Sequence, residues 1–248
     1  MDQPDVAYLA RPTLPTIAYR RRKGTAPTIL FLPGYASDMD GTKAVAIDAF
    51  AAERGIGMVR FDYSGTGLSE GAFEDGTLSG WLDEALLVVD EVTEGALIVV
   101  GSSMGGWIAL HVALRRPGRV RALVGIAAAP DFTEWGYSDA EKAIIAREGR
   151  IEQANPYGGV PQVTTKGFWE SGQGLRLLDA EIDIPVPVRL IHGDQDDDVP
   201  LAIAERLIDR LRSGDVQMTI VKGGGHRLSE PHEIEIILAA VDGLLERI

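Results

Sequence analysis

Short apolar runs alternate along this sequence with segments that carry apolar residues at helical spacing. Strands covered on both faces are apolar at nearly every position, and strands that alternate with helices form parallel sheets. We therefore predict an α/β fold in which a mostly parallel sheet of about eight strands has helices on both faces. The apolar runs lie at 28–32, 57–61, 96–100, 120–126, 188–191 and 216–220, an edge hairpin is expected near 6–9 and 16–19, and the helical patterns cover 42–54, 77–92, 104–116, 201–211 and 230–245.

One segment breaks this alternation. Between Pro130 and Pro185 there is no clear strand pattern, and the segment holds one helical pattern at 139–148 together with Trp135 and Trp169. An irregular insertion of this length is more typical of a functional lid than of a connecting loop, although a plain surface excursion would give the same pattern. We expect a single domain, 1–248, that contains a lid or cap insert at 131–184.

The charge balance and the missing cysteines exclude several classes of function. The chain has 24 basic and 37 acidic side chains, a net charge of −13, so no nucleic-acid partner is expected. It has no cysteine, which excludes a disulfide framework, a thiolate metal site and a cysteine nucleophile. The longest apolar stretches are too short for a membrane span, and residues 1–5 do not resemble a signal peptide. We therefore expect a cytoplasmic protein.

The pattern Gly-x-Ser-x-Gly occurs twice. Gly67-Leu68-Ser69-Glu70-Gly71 is followed by no helical pattern, whereas Gly101-Ser102-Ser103-Met104-Gly105 lies between an expected strand and an expected helix. A strand–turn–helix setting is what makes this motif a nucleophile elbow. The sequence therefore predicts that Ser103 is a nucleophile for acyl transfer.

The tightness of such a turn explains the residues around it. Bulky side chains two positions before or after the serine would clash with the neighbouring strand or helix, which accounts for the two glycines. The backbone amide of Met104 would face the attacked carbonyl group at the positive end of the helix. A second oxyanion donor is expected from the loop after the strand at 28–32, where Gly34 permits a close turn and Tyr35 supplies the amide.

A serine nucleophile needs a base, and histidine is the usual one. Of the four histidines, His226 follows a strand and a glycine-rich loop, the position at which open α/β sheets place their sites. His111 lies too far along its helix to reach Ser103, and His192 and His232 are interpreted as packing or surface residues. We predict that His226 is the base.

The acid that orients the base is expected in the loop 191–200. This loop holds Asp194, Asp196, Asp197 and Asp198, so composition alone does not select one. A calcium loop is the competing interpretation, but the spacing lacks the glycine and the terminal glutamate of an EF-hand. The chain order serine, acid, histidine is that of α/β hydrolases.

Five segments together resemble the serine α/β-hydrolase superfamily over about residues 16–247. Some of them are also similar to mitochondrial abhydrolase-domain enzymes known as palmitoyl-protein thioesterases and acyl-glucuronide esterases, whose bacterial relatives are usually called simply hydrolases. One departure is Pro33 before Gly34, where many members have histidine; we expect it to alter loop stiffness only. The segments are Phe31-Leu32-Pro33-Gly34, Arg60-Phe61-Asp62-Tyr63-Ser64-Gly65, 101–106, 192–200 and Gly225-His226-Arg227.

The resemblance implies the remaining assignments. The family's acid usually stands four residues after the histidine of His-Gly, which is Asp196 here; the three neighbouring aspartates stay open, and Asp131 is a distant alternative. The implied activity is hydrolysis of carboxylic esters or thioesters through an acyl-enzyme, with no cofactor and no metal. The expected partner is a small or acylated substrate, and we expect the lid aromatics Trp135, Phe168 and Trp169 to form its acyl pocket.

Other classes of function remain open. A serine peptidase uses the same triad, and a non-catalytic scaffold can share the fold. A haloalkane dehalogenase would need aspartate in place of Ser103. A dinucleotide-binding oxidoreductase is suggested only by Gly65-Thr66-Gly67, because Glu70 stands where the third glycine of that motif belongs.

Overall fold

The structure, a computed structural model, describes residues 2–154 and 161–248. Its described part contains ten strands, eight α-helices and one short 3₁₀ turn at Phe73–Asp75. The strands are β1 (Val6–Arg11), β2 (Leu14–Arg22), β3 (Thr25–Leu32), β4 (Ile56–Phe61), β5 (Leu97–Ser102), β6 (Val120–Ile126), β7 (Arg150–Gln153), β8 (Gln162–Thr165), β9 (Val188–Gly193) and β10 (Val216–Val221). The helices are α1 (Thr42–Arg54), α2 (Leu78–Val92), α3 (Met104–Arg115), α4 (Phe132–Trp135), α5 (Asp139–Glu148), α6 (Lys166–Gln173), α7 (Leu201–Arg210) and α8 (Pro231–Leu245).

Eight strands form one twisted sheet in the order β1-β2-β4-β3-β5-β6-β9-β10. The pairs from β4 to β10 are parallel, whereas β1 and β2 form an antiparallel hairpin that pairs with β4. The α/β fold with a mostly parallel eight-stranded sheet, predicted from the apolar runs, is confirmed. Because β5 lies inside the sheet, the loop at its carboxyl end faces the loops that follow β3, β6 and β9.

The core has two layers, one on each face of the sheet. Every residue of β4, β5 and β9 is buried, as expected of strands that helices cover on both sides. Helices α2 and α3 pack on one face, with Trp81 and Trp107 among the largest buried side chains, and α1 and α8 pack on the other. This double covering fixes the ends of the strands and so the positions of the loops that carry the polar residues.

The insert, residues 131–184, contains more regular structure than the sequence indicated. Helix α5 agrees with the predicted helical pattern, but β7 and β8 form a two-stranded antiparallel hairpin where no strand was expected. These strands have only four residues each and are largely polar, so they lack the apolar pattern that reveals buried strands. Within the described ranges, no helix is long and apolar enough to cross a membrane.

Candidate active site

Ser103 stands at a sharp turn between β5 and α3. Its backbone has φ 53° and ψ −119°, a positive φ that non-glycine residues rarely adopt. A Cβ atom at Gly101 would lie 2.2 Å from the carbonyl oxygen of Gly105, and one at Gly105 would lie 2.0 Å from the carbonyl oxygen of Leu32. Only glycine therefore permits the close packing of strand, turn and helix that holds the Ser103 side chain above the sheet.

The second Gly-x-Ser-x-Gly segment has a different structure. The hydroxyl group of Ser69 donates to the carbonyl oxygen of Asp62 at 2.7 Å and accepts the backbone N–H of Ala18 at 2.8 Å. No helix follows this serine directly, and both hydrogen bonds tie its loop to the sheet. The secondary structure on either side of the serine therefore distinguishes the two copies of the motif.

Ser103, His226 and Asp196 form a chain of hydrogen bonds. His226 Nε2 lies 3.0 Å from Ser103 Oγ, and His226 Nδ1 lies 2.9 Å from Asp196 Oδ2. With the proton on Nδ1, the imidazole donates to the carboxylate and accepts from the hydroxyl group. The His226 side chain is 15% exposed and the Asp196 side chain 1%, so the imidazole meets the solvent while the carboxylate does not.

The electrostatics of Asp196 suit a carboxylate that stays ionised. Burial disfavours its charge, but hydrogen bonding and attraction from His226, together with the backbone N–H of Val199, hold the pKa of Asp196 below its usual value. Its Oδ1 accepts the N–H of Val199 at 2.8 Å and the N–H of Asp198 at 3.0 Å. These bonds fix the carboxylate while it faces the imidazole.

The neighbouring acid Asp194 faces away from this chain. Its carboxylate pairs with Lys222 at 2.6 Å and accepts the backbone N–H of Gly223 at 2.6 Å. Asp131, the distant alternative, is buried and accepts the N–H groups of Leu177 and Leu178, both at 2.8 Å. These hydrogen bonds hold the two ends of the insert together, and Asp131 does not contact His226.

The other histidines have separate surroundings. His192 is buried, with Nε2 2.8 Å from the carbonyl oxygen of Val199 and 3.5 Å from Asp196 Oδ2, so it packs against the orienting acid. His111 Nε2 lies 2.8 Å from the carbonyl oxygen of Leu175, and His232 is exposed on α8. No local pattern predicts that His192 lies beside the Asp196 carboxylate, because the fold of the whole loop brings them together.

Two backbone amides close to Ser103 in the chain or in space have no acceptor of their own. Within the described ranges, the amide nitrogens of Tyr35 and Met104 donate no hydrogen bond. A Cβ atom at Gly34 would lie 3.3 Å from the carbonyl oxygen of Ser102 and 3.4 Å from Ser103 Cβ, so the loop after β3 approaches the nucleophile closely. Free N–H groups at such a place are what an oxyanion requires.

The Tyr35 side chain anchors this loop beneath the insert. Its hydroxyl group donates to the carbonyl oxygen of Val163 in β8 at 2.5 Å, and burial keeps the pKa of Tyr35 above its usual value, so the donor stays protonated. The ring centroid lies 4.9 Å from that of Phe168 and 5.0 Å from that of Phe73. The sequence predicted a role only for the amide of Tyr35, because the contact of its side chain with Val163 joins segments far apart in the chain.

Ser103 and His226 open into a cleft of about 580 Å³. Gly34 and Trp135 line it, as expected, but Phe168 and Trp169 do not. Phe168 is 2% exposed and packs in the core, and Trp169 donates its indole N–H to the carbonyl oxygen of Thr133 at 2.8 Å. The expected acyl pocket is therefore corrected: Phe168 packs in the core and Trp169 bonds to Thr133, so neither side chain lines the cleft.

Several cleft residues were not foreseen from the sequence. The aromatic side chains of Phe132 and Tyr137 lie near Trp135, and the cations Lys43 and Arg227 lie in the same cleft. Arg227 follows the predicted base directly, which is a signal that sequence reasoning could have used. Lys43 is distant along the chain and reaches the cleft only because α1 begins beside it.

Comparison with known proteins shows the family of this chain. The family model described as "Alpha/beta hydrolase family" matches residues 29–235. The chain belongs to the α/β hydrolase family. Relatives of this α/β hydrolase named as mitochondrial palmitoyl-protein thioesterase ABHD10 are 39% identical in Bos taurus and 38% identical in Homo sapiens. Each alignment covers 98% of this chain and 81% of the relative. These relatives support an enzyme that hydrolyses esters or thioesters.

Solved structures of α/β hydrolases superpose on nearly the whole chain. The mouse α/β hydrolase domain-containing protein 10 matches with a TM-score of 0.92 and 36% identity, covering 98% of this chain and 99% of the other. A putative hydrolase from Agrobacterium vitis matches with a TM-score of 0.90 and 40% identity, covering 97% of both chains. The fold and the hydrolase class agree with the resemblance found in the sequence.

The expected cytoplasmic location is wrong. The relatives of this hydrolase from Bos taurus, Homo sapiens and Pongo abelii are named as mitochondrial. The physical reason for the error is that net charge and the lack of apolar spans describe solubility, which enzymes of the cytoplasm and of the mitochondrial interior share.

Proposed function

We propose that this hydrolase cleaves carboxylic thioesters and esters, with Ser103, His226 and Asp196 as its catalytic triad. The observation that carries the proposal is the hydrogen-bonded chain from Ser103 Oγ through His226 to Asp196, with distances of 3.0 and 2.9 Å. Relatives named as palmitoyl-protein thioesterases support an acyl group on sulfur as one natural substrate. We propose residues 1–248 as a single domain and the insert as its lid.

The first half-reaction transfers the acyl group to the serine. Ser103 Oγ attacks the acyl carbon while His226 Nε2 takes the hydroxyl proton, and the carbonyl oxygen becomes an oxyanion. The amides of Tyr35 and Met104 donate to that oxyanion, and Met104 adds the positive end of α3. When the tetrahedral intermediate collapses, the bond to the sulfur or oxygen leaving atom breaks, and His226 returns the proton to that atom.

The second half-reaction releases the acid. A water molecule in the cleft gives a proton to His226 and attacks the acyl-enzyme, and collapse returns the proton to Ser103 Oγ. Asp196 stays ionised throughout and stabilises the imidazolium in both steps. The aromatic wall of Phe132, Trp135 and Tyr137 supports an apolar acyl chain in the cleft, in place of Phe168 and Trp169, which do not line it.

The test compares the two serines of the repeated motif. We expect Ser103→Ala to lower kcat for octanoyl thioesters and nitrophenyl esters by about 10³-fold or more, because among the described residues the hydroxyl group that bonds to His226 is that of Ser103. Ser69→Ala is the matched control and retains turnover. Fluorophosphonate labelling followed by peptide mapping should place the label on Ser103. Turnover by Ser103→Ala at the wild-type rate, or a label on another residue, would contradict the proposal.

A further inference from the structure

The proposed reaction fixes which side of the cleft receives the leaving group. His226 Nε2 must come within hydrogen-bonding reach of the leaving atom in order to protonate it. The leaving group therefore lies next to His226, and the acyl carbon lies between Ser103 and the amides of Tyr35 and Met104. Residues of the cleft beside His226 meet the leaving group and not the acyl chain.

Two cations lie on this side. Arg227 follows His226 in the chain, and Lys43 Nζ donates a hydrogen bond to the backbone carbonyl oxygen of Arg227. Lys43 stands in the first turn of α1, which has no acidic residue and no side-chain cap. The Lys43 ammonium group is thus held beside the residue that follows the proton donor.

The charge of Lys43 is poorly compensated by the protein. Burial, and after it repulsion from Arg227, lowers the pKa of Lys43 to about 8, with Glu233 offsetting part of the shift. Within the described ranges, Lys43 has no carboxylate within ion-pair distance, although the chain carries 37 acidic residues. A half-buried cation that has no carboxylate in ion-pair contact is stabilised by an anion that the cleft admits.

Three carboxylates also line the cleft and must be set against these cations. Asp38, Asp197 and Asp198 are exposed, and none of them contributes to the pKa shift of Lys43. Solvent screens exposed charges more strongly than half-buried ones, and Lys43 is less exposed than these three aspartates. The local charge of the cleft next to Lys43 is therefore positive, even though the rim of the cleft is acidic.

We infer that Lys43 forms a subsite for an anionic group, a carboxylate or a phosphate, on the leaving group of the substrate. The inference rests on the proposed function, because that function defines the leaving-group side. Lys43 would then be a specificity-determining residue that favours acylated thiols or alcohols carrying a negative charge. It takes no part in proton transfer and binds the portion of the substrate that departs first.

The experiment uses two pairs of octanoyl thioesters that differ mainly in charge. One pair is S-octanoyl-N-acetylcysteine and its neutral amide, which differ in a carboxylate, and the other is octanoyl-coenzyme A and S-octanoyl-pantetheine, which lacks the phosphates together with the nucleoside that carries them. For each enzyme we measure the ratio of kcat/KM for the charged and the neutral member. Dividing the wild-type ratio by the variant ratio cancels the intrinsic reactivity of each thioester.

We expect Lys43→Met to lower the ratio of kcat/KM for the charged and the neutral thioester by about tenfold in at least one pair. This is the size expected for a hydrogen bond to a charged group. Lys43→Arg should preserve the ratio. The pair that responds identifies the anion as carboxylate or phosphate. Lys23→Met is the matched control, since Lys23 is exposed in the turn between β2 and β3 and its loss changes the net charge equally.

Three results would overturn the inference. They are an unchanged ratio in both pairs for Lys43→Met, an equal change for Lys23→Met, and wild-type inhibition by N-acetylcysteine and coenzyme A that is no stronger than inhibition by their neutral counterparts. The inhibition measurement needs only the wild-type enzyme, so it decides the question even if Lys43→Met does not fold. A wild-type enzyme that hydrolyses none of the four thioesters contradicts the proposed function itself, which is a different outcome.

Discussion

At the scale of single residues, the positive φ of Ser103 illustrates how local strain serves the site. A residue in this conformation costs about 1–3 kcal/mol, which the surrounding structure must offset. The close approach of Gly101 and Gly105 to the backbone around them shows what offsets it, because strand, turn and helix are packed without space for a Cβ atom. The strained turn directs the hydroxyl group at His226 rather than along the strand.

The loop after β9 allows a matched test of two of its acids, Asp196, which contacts His226, and Asp194, which does not. We expect Asp196→Asn to lower kcat by about 10³–10⁴-fold, because the amide would donate to His226 Nδ1 and move the imidazole proton to Nε2, where it cannot accept from Ser103. Asp194→Asn should change kcat by less than about threefold, since Asp194 contacts Lys222 and Gly223 instead. Steady-state kinetics of both variants check this, and equal losses would contradict the assignment of Asp196.

At the scale of elements, the insert is fastened to the sheet through a few directed contacts. The indole N–H of Trp107 and the imidazole of His111, both on α3, meet the carbonyl oxygen of Leu175 at 3.1 and 2.8 Å. The hairpin β7–β8 meets the loop after β3 through Tyr35 and Val163. Helix α3 and the loop after β3 therefore each carry a backbone amide of the site and a contact to the insert.

The contact between Tyr35 and β8 predicts that the side chain positions its own backbone amide. We expect Tyr35→Phe to lower kcat by about fivefold with little change in KM, well below the 10²–10³-fold cost of losing an oxyanion donor. Tyr63→Phe is the control, because Tyr63 lies in the same aromatic cluster and its hydroxyl group has no hydrogen-bond partner in the described part of the chain. An effect on KM alone, or an equal effect of both variants, would count against this prediction.

The contact of His111 on α3 with Leu175 of the insert is predicted to be sensitive to acid. Burial lowers the pKa of His111 from 6.5 to about 4, and the Arg115 charge acts in the same direction. The unfolded chain binds the proton first as the pH falls, so the free energy of unfolding should decrease between pH 6.5 and 4 by on the order of 2–3 kcal/mol through this residue.

Denaturant unfolding of His111→Gln checks this, since glutamine can still donate to Leu175 but does not titrate. We expect its free energy of unfolding to fall less steeply over the same pH interval. Parallel curves for the variant and the wild type would show that His111 does not control the acid sensitivity.

At the scale of the whole molecule, the sheet, the helices and the insert share one core. Phe168 of the insert belongs to the same buried cluster as Trp81 and Trp107, and the carboxylate of Asp131 holds the end of the insert. A unit with a common core unfolds cooperatively. We therefore keep the prediction that residues 1–248 form a single domain.

Unfolding followed by several probes tests this prediction. The fluorescence of Trp135 and Trp169 follows the unfolding of the insert. The Trp135→Phe/Trp169→Phe double variant retains Trp81 and Trp107 as its tryptophans. We expect the fluorescence transitions of both proteins to coincide with their own circular-dichroism transitions and to give one calorimetric peak. A separate earlier transition seen only by the insert tryptophans would mean that the insert unfolds by itself.

The sequence alone determined the sheet, the nucleophile elbow and the histidine loop, because each leaves a local pattern: apolar runs, glycines at fixed offsets, a strand followed by glycines. It did not determine the short polar hairpin β7–β8, the burial of Phe168, or the contact of Tyr35 with Val163, which join segments far apart in the chain. It also left four aspartates equivalent in one loop. Only the tertiary structure separates them, since the direction of a side chain depends on what packs around it, and only Asp196 faces the imidazole.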